Sequence, residues 1–202
     1  MASGVNRVYA FIGRDEFTFA NWAAAVRKGN TFVTTGPLLF FSAEDRSPGE
    51  EIVMDRKGGT VEVSAKVQSF VPVHLLEVVF NGHAVASREE PAGARALTLA
   101  AKVQVSGPGW LAARCSSRLG PVTNWKFKIA AHTSPAYLRV PGEEAFSLPV
   151  ATYFLELIEG AQTYLETLAV RPDEERFAKI RKTFADARAV LHRRMHEYGI
   201  PH

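Results

Sequence analysis

The clearest pattern in the chain is a strict alternation of apolar and polar residues that begins at residue 60. Every second residue over 61–67 is valine or alanine, and the residues between them are polar or charged. An extended chain points successive side chains to opposite sides, so a period of two predicts a strand with one buried face. The same alternation recurs over 76–80 and over 97–105.

Turn residues separate these segments and predict how the strands are connected. Asn81-Gly82 directly follows the second segment. It predicts a tight hairpin, because a type I′ turn needs positive φ at both central residues. The return strand is expected over 83–86, and the Pro- and Gly-containing stretch 89–94 is expected to be a loop.

Short strands are also expected over 8–12, 31–34, 38–42, 110–115, 125–131 and 137–140. Strands that recur about every ten residues, with turn signals between them, are typical of an antiparallel sandwich. The fold class predicted is therefore mainly β with α, in which an immunoglobulin-like β-sandwich occupies residues 31–141.

Two helical regions flank this sandwich. Near the start, Thr18 has the character of an N-cap, apolar residues follow at helical spacing, and Gly29 follows two basic residues at the end. Residues 1–30 are thus expected to be an N-terminal segment with one short helix.

After Pro141-Gly142 the apolar period changes to that of a helix. A first amphipathic stripe runs from Val150 to Leu168. After a break, Pro172 suits the first turn of a second helix, and the acidic run 173–175 suits its positive end. Residues 142–202 are therefore expected to form an antiparallel helical hairpin. Its apolar stripes must pack on the sandwich, on another domain or on a second copy of the chain.

The charge and hydropathy of the chain argue against nucleic-acid and membrane partners. The formal net charge is only +3, and the basic cluster at the end of the chain suits the negative end of a helix dipole. We therefore expect no nucleic-acid partner. No apolar run is long enough to span a bilayer, and the first residues lack the pattern of a signal peptide. A soluble protein is expected, either cytoplasmic or a fragment of an exported one.

The sequence offers little that is typical of catalysis. His192 and His196 share one helix face, but two arginines lie between them and disfavour a divalent cation. The single cysteine, Cys115, excludes an intramolecular disulfide and a cysteine-rich zinc site. No nucleophile elbow or phosphate-binding loop is present. No catalytic residue, metal ligand or cofactor site is therefore assigned to this chain.

A weaker signal marks a binding surface on the later strands. Arg114 falls on the same strand face as Trp110, where it must reach a carboxylate, an aromatic face or solvent, so either structural pairing or contact with a ligand is expected. His132 and Ser134 precede a proline at a strand entry and can satisfy local backbone groups or a ligand. These four residues are the candidate binding residues. Cys115 and His132 could also meet on adjacent strands as a thiol–imidazole pair.

Several sequence blocks, taken in order, resemble one family. They are NWAAAVRKG at 21–29, TFVTTGPLL at 31–39, LEVVFNG at 76–82, GWLAARC at 109–115 and AHTSPAY at 131–137, with YFL at 153–155 and the stretch 174–189 in the two helices of the closing pair. Together they resemble the C-terminal region of the PHP-like metal-dependent hydrolases of the CehA/McbA type. In that family an N-terminal barrel holds a di- or trinuclear metal site with His and Asp ligands.

The resemblance implies that the first residues are the tail of such a barrel, and that a divalent metal belongs to that catalytic domain. None of the family's metal ligands maps onto a position of this sequence. The main hypothesis is therefore a non-catalytic accessory domain, with a catalytic hydrolase domain or a second copy, bound through the helical hairpin, as its partner.

An alternative hypothesis is a free-standing module that binds carbohydrate or peptide. Sandwich folds host such sites, and Trp22, Trp110 and Trp125 could provide aromatic surfaces on which a ligand stacks. A third hypothesis is an enzyme that uses the Cys115–His132 pair.

Overall fold

A computed structural model describes residues 5–55, 58–118, 128–170 and 173–199. They divide into two compact units, Met1–Ala145 and Phe146–His202. The first unit contains a large β-sheet and one helix, and the second contains a pair of helices. The chain is therefore rich in β-structure and ends in a helix pair.

The elements within the described residues have the following bounds. The strands are β1 (Arg7–Ala10), β2 (Thr31–Thr34), β3 (Leu38–Ala43), β4 (Glu51–Val53), β5 (Gly59–Phe80), β6 (His83–Val105), β7 (Gly109–Ser116), β8 (Ala130–Thr133) and β9 (Ala136–Arg139). The helices are α1 (Phe19–Lys28), α2 (Leu148–Thr167) and α3 (Glu174–Glu197).

The first helix begins and ends at the residues that the sequence indicates. The Thr18 hydroxyl accepts a hydrogen bond from the Asn21 N–H at 3.2 Å, which satisfies one of the free donors of the first turn. Gly29 ends the helix with φ of +76°, a left-handed conformation that glycine adopts without steric cost. The predicted N-cap and C-cap are both confirmed.

Strand β5 lies at the centre of the sheet because its two halves have different neighbours. The first half pairs with β3, up to Leu38 opposite Gln68. The second half pairs with β7, from Leu75 opposite Ser116 onward. Strand β6 accompanies both halves, with register shifts between Gln68 and Leu75. One long strand thus joins two sets of neighbours.

The sheet continues from β7 through β8 and β2 to β1, while β9 pairs with β7 and β4. The ladder between β4 and β9 is parallel, so the prediction of antiparallel pairing throughout is wrong at this point. After the turn at 47–49, the Gly49 N–H donates to the Pro135 carbonyl at 2.7 Å. This bond fixes β4 beside β9 in the same direction.

The predicted loop over 89–94 is also wrong, because these residues belong to β6. Residues 90–93 have no register partner on β5. Pro91, which lacks a backbone N–H, is therefore tolerated here, because the ladder requires no hydrogen bond from it. Gly93 has φ of +74°, and a methyl group there would lie 2.8 Å from Pro72 Cβ. The Pro and Gly residues mark a bulge in a continuous strand instead of a chain reversal.

The buried core of the first unit draws on six strands and includes the alternating face predicted for 61–67. Its largest fully buried members include Leu39, Leu76, Leu111, Val61, Val67, Val73 and Val78. Removing a side chain of this size from water contributes about 1.5–3 kcal/mol. The hairpin is confirmed as well, since Asn81 and Gly82 have φ of +48° and +88° and Phe80 pairs with His83.

Two ion pairs join the C-terminal helices. Arg188 lies 3.1 Å from Glu159, and Arg181 lies 2.8 Å from Glu166. Asp173 is the N-cap of α3 and accepts from the Arg176 N–H at 2.8 Å, so the helix begins at Glu174, with Asp173 just before the first turn in which it was predicted. The prediction for Pro172 lies outside the described residues. Among the described residues, no helix is both long and apolar enough to cross a membrane.

Candidate functional site

Arg114 occupies the outer face of β7, and its partner is a carboxylate on the neighbouring strand. The register places Arg114 opposite Glu77 of β5, and Arg114 Nε donates to Glu77 Oε2 at 2.7 Å. The Glu77 side chain is 15% exposed and that of Arg114 is 44% exposed. This pair uses one of the five N–H donors of the guanidinium, so Glu77 orients a group that retains donors for a ligand.

His132 faces Arg114 from the other side. The register places the two residues opposite each other on β7 and β8. His132 Nδ1 lies 2.6 Å from the Thr133 carbonyl oxygen, so Nδ1 carries the proton and donates. In the neutral imidazole, Nε2 is then an acceptor. The sheet thus brings a cation and an oriented imidazole together.

These groups line an open concavity of about 680 Å³ on the sheet surface. Its wall also includes Val33, Thr35 and Ser116. A guanidinium favours a carboxylate or another planar anion, and the imidazole acceptor favours a hydroxyl donor. The concavity therefore suits a small ligand or chain end that carries both groups.

Trp110 and Ser134 do not line this concavity. Trp110 is half-buried, its backbone N–H donates to Asn81 Oδ1 at 3.0 Å, and Tyr137 lies opposite it in the sheet. The Ser134 hydroxyl lies 2.7 Å from the Thr31 hydroxyl, and the Ser134 N–H donates to the Thr31 carbonyl. The structure joins two of the four candidate residues and gives Ser134 a structural contact with β2.

The aromatic residues of the alternative hypothesis are also separated. Trp22 is partly exposed and its ring packs 5.8 Å from that of Phe19 on α1, whereas Trp110 belongs to β7. Trp125 lies outside the described residues.

The thiol–imidazole hypothesis is wrong. Cys115 lies opposite Ala131, whereas His132 lies opposite Arg114. Neighbouring residues of a strand point to opposite faces, so the thiol and the imidazole lie on different sides of the sheet. Cys115 is buried in the core, and burial raises the pKa of its thiol to about 11. The thiol is therefore protonated and unreactive near neutral pH.

Metal-ligating side chains are not clustered within the described ranges. No group of three or more His, Cys, Asp or Glu residues there could hold a metal ion. His192 and His196 lie on one face of α3, with ring centroids 4.9 Å apart, and they do not belong to a three-ligand group among the residues that the structure describes. A structural zinc site takes four protein ligands and a catalytic one takes three.

A second surface of the first unit was not identified from the sequence. An apolar groove of about 410 Å³ is lined by Tyr9 of β1, Phe11 just after it, Phe32 of β2 and Phe40 of β3. The Tyr9 and Phe32 rings stack with centroids 5.1 Å apart. The available signal was the density of phenylalanine before residue 42.

Glu77 was missed as well, although its position in the alternating segment 76–80 placed it on the face opposite Leu76. Its partner is 37 residues away, and only the register of β5 and β7 brings them together. The chain matches no protein-family model, no curated protein and no solved structure.

Proposed function

We propose that this chain is a non-catalytic accessory domain that packs against a catalytic metallohydrolase domain. The proposal extends the resemblance of its sequence blocks to the C-terminal region of PHP-like hydrolases of the CehA/McbA type. In such a protein, a divalent metal belongs to the catalytic domain. The observation that carries the proposal is the exposure of large aromatic side chains around β1 and α1.

This exposure is unusual for a surface in contact with water alone. Phe11, Phe17 and Phe19 are 62%, 84% and 81% exposed. Phe11 also lines the apolar groove with Tyr9 and Phe40. We name Tyr9, Phe11, Phe17, Phe19 and Phe40 the aromatic surface. Large apolar side chains exposed in this number are typical of interaction sites on globular proteins. A catalytic domain that covered them would remove this apolar area from water.

The same proposal includes an immunoglobulin-like sandwich as the accessory scaffold. Leu39 of β3 and Leu111 of β7 belong to one buried cluster although the two strands do not pair. The burial of both residues in one cluster supports two sheet halves packed face to face. For the helix pair, the ion pairs of Glu159 with Arg188 and Glu166 with Arg181 run in opposite chain directions, which supports an antiparallel hairpin.

A binding experiment tests the docking role. The probe is the purified catalytic barrel of a CehA/McbA-type hydrolase, titrated with the full chain. We expect saturable binding that Phe11→Ser weakens at least about tenfold, because the substitution removes a large buried contact of the interface. Phe70→Ser is the matched control, since Phe70 is 96% exposed on β5 and does not line the groove. Equal loss for both variants, or no binding, would overturn the docking role.

A second measurement tests the non-catalytic role. The purified chain is incubated with zinc or manganese, dialysed, and assayed for bound metal and for ester and phosphoester hydrolysis. We expect neither stoichiometric metal nor turnover. Metal bound at one or more equivalents, together with hydrolysis by this chain alone, would contradict the proposal.

The concavity at Arg114 favours a second candidate function, a module that binds an acidic sugar or a peptide carboxylate. The observation in its favour is the Arg114 guanidinium, oriented by Glu77 and opposite His132. Titration calorimetry with glucuronic acid and with a short peptide tests it. Arg114→Ala should abolish binding. Arg118→Ala is the matched control, because Arg118 pairs with Glu89 at 2.6 Å and does not line the concavity.

A further inference from the structure

Helix α2 carries apolar residues over a wider arc than the side of the helix that is buried or half-buried. Ala151 is buried, and Leu155, Ile158 and Leu165 are half-buried, at a spacing that places them on one side of the helix. A second row of apolar residues lies about a quarter turn or more away, at the 100° rotation per residue of an α-helix. This row, which we name the outer seam, consists of Val150, Phe154, Leu157, Ala161 and Tyr164 of α2 and of Leu168, the residue that caps its C-terminus.

The outer seam is exposed along the helix. Its five large residues, all but Ala161, are each at least 48% exposed. Tyr153 borders the seam and is 57% exposed. An exposed row of this length is a contact surface that the described part of the second unit leaves open.

The spacing of the seam is that of helix-to-helix packing. Its members follow one another at intervals of four, three, four, three and four residues. This is the heptad pattern of the residues that interlock between neighbouring helices. An isolated helix on a flat sheet needs no such regularity, so the pattern favours another helix as the occupant.

When a second copy of α2 runs in the opposite direction, the side chains of the two outer seams are complementary in size. Reversed about residue 159, the midpoint of the seam, Leu157 falls opposite Ala161, Phe154 opposite Tyr164, and Val150 opposite Leu168. A large residue thus meets a small one at the middle, and the outer positions carry pairs of larger side chains. Interlocking of large with small residues is what close packing between helices requires.

Charge placement is compatible with two copies of the same helix. Helix α2 carries three glutamates, Glu156, Glu159 and Glu166, and no lysine or arginine. All three lie on the side away from the outer seam, and two of them pair with arginines of α3. The residues that flank the seam on its free side are Tyr153, Gly160 and Thr167, which are uncharged. Two acidic helices can therefore meet here without like charges in contact.

The exposed area is also large enough. Together with Tyr153 and with Ile180 of α3, which is 39% exposed, the seam offers apolar surface on the order of 700 Å². A stable interface buries about 800 Å² on each partner. Contacts at the rim would supply the remainder.

We propose that two copies of this chain associate through the outer seam of α2, antiparallel about a twofold axis. Each copy presents the same surface, so the contact is closed and produces a dimer and not a chain of copies. The two helix pairs then form a four-helix arrangement with the outer seams in its interior. This interface is separate from the aromatic surface of the first unit and does not depend on the function proposed above.

Sedimentation equilibrium of the full chain tests the dimer. We expect a dimer at micromolar concentration and a dissociation constant raised about a hundredfold or more by Leu157→Glu, which buries a charge at the seam centre in both copies. Thr152→Glu is the control, because it adds the same charge to α2 on its exposed polar side. A monomer at 100-fold higher concentration would overturn the proposal, as would a dimer that Leu157→Glu leaves unchanged. A dimer lost with Phe11→Ser instead would assign the interface to the aromatic surface and would also overturn it.

Cross-linking tests the direction of packing without a charged substitution. Chains with Leu157→Cys and chains with Ala161→Cys are prepared separately, mixed, and oxidised mildly. We expect covalent dimers only in the mixture, because Leu157 faces Ala161 of the other copy. The wild type controls for Cys115, which is buried. Cross-links in each preparation alone, or none in the mixture, would contradict the antiparallel seam.

Discussion

The β-rich unit and the helix pair bury their apolar side chains to different extents. In the first unit, residues of six strands form one continuous buried cluster. In the helix pair, the buried residues among those described are Ala151, Phe177 and Met195, although α2 and α3 together span more than forty positions. Both units have regularly spaced apolar residues. The alternating face of 61–67 is buried in the first unit, whereas most of the large apolar residues of α2 remain exposed.

The difference follows from geometry. A sheet buries alternate residues, and a long strand such as β5 reaches two sets of neighbours. A pair of helices covers only one stripe on each member, and any wider apolar arc remains exposed. The ion pairs between α2 and α3 are exposed, and such pairs contribute about 0–1 kcal/mol each. The helix pair therefore depends more on an additional partner than the sheet does.

The largest effect is expected in the core of the first unit. Leu111 is fully buried on β7, and Leu111→Ala should lower the free energy of unfolding by about 3–5 kcal/mol, from lost transfer energy and the remaining cavity. Urea unfolding measures the change, and hydrogen exchange should rise in β5 and β7. Phe70→Ala is the control, because Phe70 is exposed. A cost below about 1 kcal/mol for Leu111→Ala would show that this core is loosely packed.

The buried thiol gives the same core a dependence on pH. Burial raises the pKa of Cys115 from 9.0 to about 11. Between these values the unfolded chain ionises its thiol and the folded chain does not. The contribution of Cys115 is therefore fully present below pH 9 and is lost as pH rises towards 11, by up to about 3 kcal/mol.

Urea unfolding at pH 8 and at pH 10.5 measures this loss. Other groups also titrate in this range, so the comparison is between the wild type and Cys115→Ala. We expect the gap in stability between them to narrow at the higher pH. A gap that is constant with pH would mean that the thiol ionises equally well in the folded chain.

A smaller effect is expected for a buried residue of the helix pair. Phe177 is buried on α3, but all the other described residues of α3 except Met195 are exposed or half-buried, so we expect side chains to relax into the space that is left. Phe177→Ala should cost about 2 kcal/mol, below the about 3–5 kcal/mol that a Phe→Ala change costs in a well-packed core. The measurement is the helical circular dichroism signal against temperature. A cost equal to that of Leu111→Ala would remove the contrast between the two units.

Local signals in the sequence predicted local structure well. Asn81-Gly82, Thr18 and Gly29 each act through their own backbone and immediate neighbours, so their roles were visible in the sequence. The bulge at Pro91 and Gly93 was not, because it depends on an absence of ladder partners that only the pairing of β5 with β6 determines. The parallel pairing of β4 depends likewise on a distant strand.

The candidate site, too, was predictable from the sequence only in part. Arg114 was identified because a charged side chain on a strand face needs a partner, and His132 was identified because it lies just before a proline at a strand entry. Their proximity to each other and to Glu77 depends on the register of three strands. The register also separates Cys115 from His132, which sequence spacing alone left open.

The smallest effect concerns the start of α3. The Asp173 carboxylate accepts the hydrogen bond of the Arg176 N–H and lies at the positive end of the helix dipole. Asp173→Ala should cost about 1 kcal/mol, and Asp173→Asn should cost less because it keeps the acceptor. Hydrogen exchange of the first turn of α3 measures both. Thr18→Ala is the control, because it removes the equivalent N-cap of α1 in the first unit. It should leave hydrogen exchange in α3 unchanged. Equal exchange in Asp173→Ala and the wild type would show that this cap does not hold the turn.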